Sequence, residues 1–297
     1  MPTTDPRVSV FRSIPAVLGE GVMWHPARNS LFWLDITGRK VFETLPGREE
    51  TRSLQLDQMV TAVAPTDDGK LVAALHRGIY LLDPDTGTVA EYARPTSFDH
   101  QHLRFNDGKC DPAGRFWAGT MGLNNEREVG CLYRIDAKRS ISVMRERITC
   151  SNGLAWSADA KTLYYIDSPT RCVQAFDFEV ATGVLSNHRV AIAFTESDGL
   201  PDGCTIDAED RLWVAHWGGS KVTCWDPVRA QLLDTLHLPV SQVTSCAFGG
   251  PNFDTLFITT AAIGLNEAQK KAEPEAGFLF SAKTGTRGRA AHVFAPR

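Results

Sequence analysis

The chain has 297 residues, with 31 Lys and Arg against 35 Asp and Glu, a formal net charge of −4 and no basic cluster, which excludes the concentrated cationic footprint of a nucleic-acid binder. Hydrophobic residues make up 43%, as in ordinary soluble proteins, and no apolar run approaches the ~18 residues of a membrane-spanning helix. Seven cysteines, odd in number and without metal-finger or redox spacing, argue against a disulfide framework and fit buried thiols of a cytoplasmic protein.

The N-terminus, Met1-Pro2-Thr3-Thr4-Asp5-Pro6-Arg7, lacks the charged and apolar regions of a secretory signal, which again predicts the cytoplasm. The first element, Val8-Ser9-Val10-Phe11, is a short strand with no hairpin partner beside it. From Leu18 onward the chain repeats. A strand ending at Trp24 leads through a polar turn at Pro26-Ala27-Arg28-Asn29-Ser30 into Leu31-Phe32-Trp33. The second unit runs to Ala64, turns at Asp67-Asp68-Gly69-Lys70 before Leu71-Val72, and continues with a third strand, Gly78-Ile79-Tyr80-Leu81-Leu82-Asp83. A turn at Asp83-Pro84-Asp85-Thr86-Gly87 then leads to a weaker fourth strand.

The third unit reaches Cys110, followed by Asp111-Pro112-Ala113-Gly114-Arg115-Phe116-Trp117 and then Cys131-Leu132-Tyr133-Arg134-Ile135-Asp136. The fourth passes Trp156, the turn Ser157-Ala158-Asp159-Ala160-Lys161, and the strands Thr162-Leu163-Tyr164-Tyr165 and Val173-Gln174-Ala175-Phe176-Asp177. The fifth passes Ile206, Asp207-Ala208-Glu209-Asp210-Arg211-Leu212-Trp213 and Val222-Thr223-Cys224-Trp225-Asp226, and the sixth passes Phe248 and Pro251-Asn252-Phe253-Asp254-Thr255-Leu256-Phe257. Residues 263–275 are polar and read as a loop or short helix within the last unit, placed to border a site.

Each polar turn between apolar segments is a hairpin signal. Four short antiparallel strands per ~40–50 residues is the period of a propeller blade. The predicted fold is therefore all-β: a six-bladed β-propeller in one domain spanning 1–297, with blades starting near 20, 60, 106, 152, 202 and 244. Ring closure is expected where Val8–Phe11 pairs with the last blade near His292-Val293-Phe294.

Four residues before each landmark stands a repeat-equivalent residue: Glu20, Val60, Asn106, Asn152, Asp202 and Thr244. Radial repetition brings such positions to one height on one axis, so four carboxylate or amide groups converge there. Glu20, Asn152 and Asp202 offer two carboxylates and one amide, each followed by Gly, a donor set suited to Ca²⁺, Mg²⁺, Mn²⁺ or Fe²⁺. Three protein ligands leave room for water and substrate, as at a catalytic ion. Arg104 supplies a positive fork for a hydroxyl or carboxylate. An Asn-Gly or Asp-Gly pair taken alone is a turn signal; Glu20, a poor turn residue in the same register, favours a site.

Of the eight histidines, His216 is a candidate pocket wall and His102 a candidate rim residue; no pair has ligand spacing. The tryptophans fall in blade strands and read as inter-blade packing. Ser151, Ser241 and Ser245 lack the G-x-S-x-G elbow of a serine hydrolase.

Leu18-Gly19-Glu20-Gly21, Arg104-Phe105-Asn106-Asp107-Gly108-Lys109, Asp111-Pro112-Ala113-Gly114-Arg115, Ala118-Gly119-Thr120-Met121, Ser151-Asn152-Gly153-Leu154, Leu200-Pro201-Asp202-Gly203 and Thr244-Ser245-Cys246-Ala247-Phe248-Gly249-Gly250 together resemble the senescence marker protein/gluconolactonase (regucalcin-like) family. The resemblance runs from about Leu18 to the strand around Phe294. It implies a six-bladed propeller with one divalent ion in the central channel, held by Glu20, Asn152 and Asp202. Calcium is the ion most expected, with zinc, manganese, magnesium or iron as alternatives. Arg104 and Asn106 are implied to bind a sugar lactone. The animal members' substrate-facing acidic pair falls here on Gly122-Leu123-Asn124-Asn125-Glu126-Arg127-Glu128, so Asn124 takes that place in register, with Glu126 beside it.

The expected reaction is hydrolysis of a gluconolactone- or xylonolactone-type aldonolactone to the aldonic acid. In it the ion polarises the carbonyl, Asp202 takes a proton from water, and Arg104 and Asn106 fix the sugar hydroxyls. An ion-activated water is the alternative to Asp202 as base. A promiscuous metal-dependent phosphotriesterase and a non-enzymatic metal-binding propeller are the competing classes. The expected partner is a small-molecule sugar lactone, with no nucleic acid and no membrane.

Overall fold

The structure, a computed structural model, describes residues 3–45, 47–96 and 98–295. Its strands form six four-stranded antiparallel sheets, five of them meanders in sequence order. The innermost strands are Gly19–His25, Val60–Pro65, Leu103–Cys110, Ser151–Trp156, Leu200–Ile206 and Val243–Gly249. Each packs against the innermost strands of the two neighbouring blades, so the six make a closed ring. The fold class is the six-bladed propeller expected from the repeat.

Ring closure differs from the expectation in one partner. Val8–Arg12 does become the outermost strand of the sixth sheet, but it pairs with Leu279–Ala282 in the register Val8 to Ala282 and Val10 to Phe280. The segment around Phe294 instead crosses to the second blade, where Phe294 N–H donates to Pro65 O at 2.8 Å and Asp67 N–H to Phe294 O at 3.3 Å. Leu279, Phe280 and Ala282 are buried, which makes that segment the better inner neighbour for a closing strand. Residues 267–272 form a short α-helix, Glu267–Ala272, capped by Asn266, whose side chain accepts from Gln269 N–H.

Every innermost strand carries a register shift at its repeat-equivalent residue. The pairing jumps between Glu20 and Met23, Phe105 and Gly108, Ser151 and Leu154, and Pro201 and Cys204, with shorter jumps after Val60 and Val243. A bulge inserts one unpaired residue and re-aims its side chain. The glycines that follow serve this bend in two ways. Gly21 sits at φ +58°, in the left-handed region. Gly153 and Gly203 instead permit close approach: a Cβ on Gly153 would lie 2.8 Å from Asp202 O, and one on Gly203 would lie 2.4 Å from Ser245 Oγ. Asn152-Gly153 and Asp202-Gly203 are therefore inside strands, and neither pair makes a turn.

Tryptophans pack between blades as expected: Trp117 meets Trp156 edge-on at 5.9 Å, and Trp213 meets Phe248 at 5.8 Å. Two of the hairpin turns also bury a saturated carboxylate. Asp111 accepts from Ala113 N–H, Arg115 N–H, Arg115 Nε at 2.6 Å and Trp117 Nε1 at 2.8 Å. Asp207 repeats the pattern with Glu209 N–H, Arg211 N–H, Arg211 Nε at 2.7 Å and Trp213 Nε1 at 3.0 Å. Both carboxylates are fully buried, so removing one leaves a buried indole N–H, an arginine Nε and two turn N–H groups without their acceptor. Asp207→Ala is expected to cost about 1–3 kcal/mol of unfolding free energy, the penalty of leaving buried donors such as Trp213 Nε1 unpaired, measured by chemical denaturation. A loss below about 1 kcal/mol, the scale of an exposed pair, would refute that account.

Candidate active site

The six bulges deliver four polar side chains to one end of the ring. Glu20, Asn106, Asn152 and Asp202 line a single cavity of about 710 Å³, together with Arg104, Arg127, Arg171, Cys150, Ser168, Met121, Trp217 and Ile263. Val60 and Thr244, the other two register positions, are buried and do not line it; Thr244 Oγ1 donates to Gly19 O at 2.6 Å.

A hydrogen-bond chain runs around the ring through three blades. Arg104 donates from one terminal nitrogen to Asn106 Oδ1 at 2.6 Å and to Phe105 O at 3.0 Å. Asn106 Nδ2 donates to Ser151 O at 2.8 Å and to Asn152 Oδ1 at 2.9 Å. Asn152 Nδ2 donates to Ser168 Oγ at 2.8 Å, and that hydroxyl donates to Pro201 O at 2.6 Å. The chain fixes both amide orientations and keeps the Asn152 carbonyl oxygen on the Asn106 side.

The two carboxylates stand apart from this chain. Glu20 Oε2 accepts from Gly21 N–H at 3.0 Å, while Asp202 Oδ1 is buried without a hydrogen-bond partner among the described residues. Burial first, then the charge of Asp107, raises the Glu20 carboxyl to about 8, against the Gly21 hydrogen bond and the charge of Arg104. Burial, Glu20 and Asp107 push Asp202 well above the usual carboxylate range. Burial also raises Asp107, partly opposed by Lys109. Buried carboxylates pressed together and left short of donors call for a cation.

Among the described residues no three His, Cys, Asp or Glu side chains gather as a metal cluster; the available set is two carboxylates with two amides. Those oxygen donors, and the orphaned Asp202 Oδ1 above all, fit a hard divalent ion.

Several predicted residues fall elsewhere. Asn124 and Glu126 do not line the cavity; they bond each other, Asn124 N–H and Nδ2 both meeting the Glu126 carboxylate at 3.0 Å. The same loop turns Asn125 and Arg127 into the cavity wall instead, with Asn125 and Glu128 in the left-handed region at φ +59° and +58°. His216 is fully buried with Nε2 at 2.7 Å from Thr223 Oγ1, and the next residue, Trp217, lines the cavity. His102 is exposed and held by Asp99 at 2.6 Å.

Residues that sequence reasoning missed include Asp35 and Asp167, which end the second strands of the first and fourth blades. Asp35 accepts from Val17 and Leu18 N–H at 3.0 and 3.1 Å, and Asp167 accepts from Thr149 and Cys150 N–H at 3.1 and 2.8 Å. Each carboxylate pins the backbone two residues before a ring residue, Glu20 or Asn152. Their shared place at the end of a second strand was the available signal.

Comparison with known proteins agrees with this architecture. Residues 18–262 match the family model described as SMP-30/Gluconolactonase/LRE-like region. A protein of Bacillus subtilis (strain 168) whose name, given provisionally, is sugar lactone lactonase YvrE is 38% identical over 273 residues, 92% of this chain and 93% of that one. Regucalcin of Xenopus laevis is 37% identical over 284 residues, 94% and 95% of the two chains. The crystal structure of regucalcin from Agrobacterium tumefaciens, described as a calcium-binding protein, superposes with a TM-score of 0.91 at 29% identity, covering 96% of each chain.

Proposed function

This chain belongs to the SMP-30/gluconolactonase/LRE-like family, and from that premise we propose that it is a metal-dependent hydrolase of sugar lactones, opening the ring to the hydroxy acid. The observation that carries this reading is the buried, unpartnered Asp202 Oδ1 at the floor of a cavity that Arg104 and Asn106 also line. Glu20, Asn152 and Asp202 would hold the divalent ion, which supplies Lewis acidity toward a carbonyl oxygen when bound.

The chain's own groups account for the remaining work. Asn152 is held in place by Ser168 and Asn106, so its carbonyl oxygen needs no reorganisation at the moment of binding. Arg104 keeps further N–H donors beyond the two bonds it makes, and these meet substrate hydroxyls in a fixed fork. Asp202 receives the proton of the attacking water at the face its unpartnered oxygen presents. Water adds to the carbonyl carbon, the bond to the ring oxygen breaks, and that oxygen takes up the proton as a hydroxyl. Met121, Trp217, Leu18, Leu200 and Ile263 give the cavity apolar walls that keep bulk water from the polar floor.

The test is an acid-release assay over a panel of aldonolactones, run on protein stripped by chelation and again after adding back single divalent ions. Hydrolysis is expected to vanish on stripping and to return with a divalent ion. Full activity in demonstrably metal-free protein, or no hydrolysis of any lactone in the loaded protein, would overturn the reading.

A further inference from the structure

The cavity carries more positive charge than a neutral sugar lactone uses. Arg104, Arg127 and Arg171 all line it, and among the described residues the acidic side chains in its wall are Glu20 and Asp202. None of the three arginines has a carboxylate partner. Arg104 donates to Phe105 O and Asn106 Oδ1, and Arg171 to the carbonyl oxygens of Gly199 at 3.0 Å and Thr195 at 3.5 Å. The Arg127 side chain has no hydrogen-bond or ion-pair partner among the described residues.

Several arginines elsewhere in the chain meet carboxylates, Arg28 with Glu43 and Asp85, Arg115 with Asp111, Arg211 with Asp207, and Arg147 with Glu128, the residue next to Arg127, while others such as Arg12 and Arg39 meet backbone carbonyls. Glu128 lies one residue from Arg127 yet bonds Arg147, so Arg127, a residue of the cavity wall, has no carboxylate partner among the described residues.

The charge count sharpens the point. With Glu20 and Asp202 matched to one divalent ion, the charges of Arg104, Arg127 and Arg171 meet no further acidic side chain in the cavity wall among the described residues. Asp107 does not line this cavity and has Lys109 as its counter-charge. The planar fork of a guanidinium that has no carboxylate partner matches a carboxylate or a phosphate. Arg104 sits on an innermost strand beside the ring residues. Arg127, exposed on the loop before Gly130, and Arg171, half-exposed after the turn Ser168–Thr170, stand nearer solvent. The anion they suit is therefore at the end of the substrate remote from the lactone carbonyl.

We propose that the preferred substrate is a sugar lactone bearing a second, anionic group, a carboxylate or a phosphate, held by Arg127 and Arg171. This rests on the lactonase reading above, and the experiment separates the two. kcat/KM is measured for neutral glucono-1,5-lactone, for glucaro-1,4-lactone with its carboxylate, and for 6-phosphogluconolactone with its phosphate. One anionic lactone is expected to exceed the neutral one at least about tenfold, the worth of one charge-assisted contact, and the better of the two identifies the anion. That preference is expected to shrink about tenfold in Arg127→Ala and in Arg171→Gln, and to weaken as salt rises from about 0.02 M to about 0.3 M.

A neutral lactone equal to both anionic ones, or variants that lower all three alike, would overturn the proposal. Calorimetric binding of glucarate, 6-phosphogluconate and gluconate decides independently of turnover, even if the lactonase reading has failed. Tighter binding of glucarate or 6-phosphogluconate than of gluconate, lost in both variants, supports the anion clamp, and equal binding of all three sinks it.

Discussion

Asp202→Asn is expected to lower lactone turnover by about 10²–10⁴-fold, the usual cost of losing a general base, and to weaken divalent-ion binding in the same variant. The substitution keeps the side chain's size and removes its charge. In the wild-type protein Asp202 Oδ1 is buried without a donor, beside Glu20 and under the repulsion of Asp107. That arrangement is unfavourable without a cation, so the metal-free variant should be at least as stable as the metal-free wild type. Stability and function then move in opposite directions at one residue, as expected where a strained polar group serves a ligand. Thermal denaturation, metal analysis and acid release on the same preparations check the three parts together. Wild-type turnover in Asp202→Asn, or a metal-free variant clearly less stable than the metal-free parent, would show that the carboxylate is structural.

Arg104→Ala should fail differently. Arg104 donates to Asn106 Oδ1 but touches neither carboxylate, so metal content should be retained while substrate positioning is lost. The expected loss in kcat/KM for hydroxyl-rich lactones is about 10–10²-fold, the worth of one or two hydrogen bonds to a charged donor. An activated phosphotriester offers the guanidinium no hydroxyl, so its hydrolysis should fall less. Arg104→Lys restores the charge without the planar fork and should recover only part of the loss. Metal loss as complete as in Asp202→Asn, or equal damage to lactone and phosphotriester, would mean that the Arg104–Asn106–Asn152 chain holds the ion site and not the substrate.

Much of the site was legible because a closed radial repeat converts sequence register into spatial position. Glu20, Asn106, Asn152 and Asp202 are far apart in sequence, yet equal offsets from Trp24, Cys110, Trp156 and Ile206 sufficed to bring them to one cavity. The repeat gave no such guide on the loop after Met121, where Asn124 and Glu126 were placed by the family resemblance alone. There no period operates, and positive φ at Asn125 and Glu128 decides which residues turn inward. Asn124 and Glu126 consequently bond each other while Asn125 and Arg127 line the cavity. Arg171 was equally out of reach of register, since it follows a 3₁₀ turn that the strand pattern does not announce.

By itself, then, the sequence determined the all-β class, six blades of four strands, the closing role of Val8–Phe11 and the axial register of four polar residues, because period-2 strands and punctual turns are local properties of the chain. Only the tertiary structure decided the rest. It paired the closing strand with Leu279–Ala282 and sent Phe294 to the second blade. It set Gly153 and Gly203 against neighbouring blades, where a β-carbon would collide with Asp202 O and Ser245 Oγ. It also left Asp202 Oδ1 without a donor and three guanidiniums without carboxylates around one cavity. Those are properties of what surrounds a group from other blades, and they are set by packing between segments that no local pattern in the chain encodes.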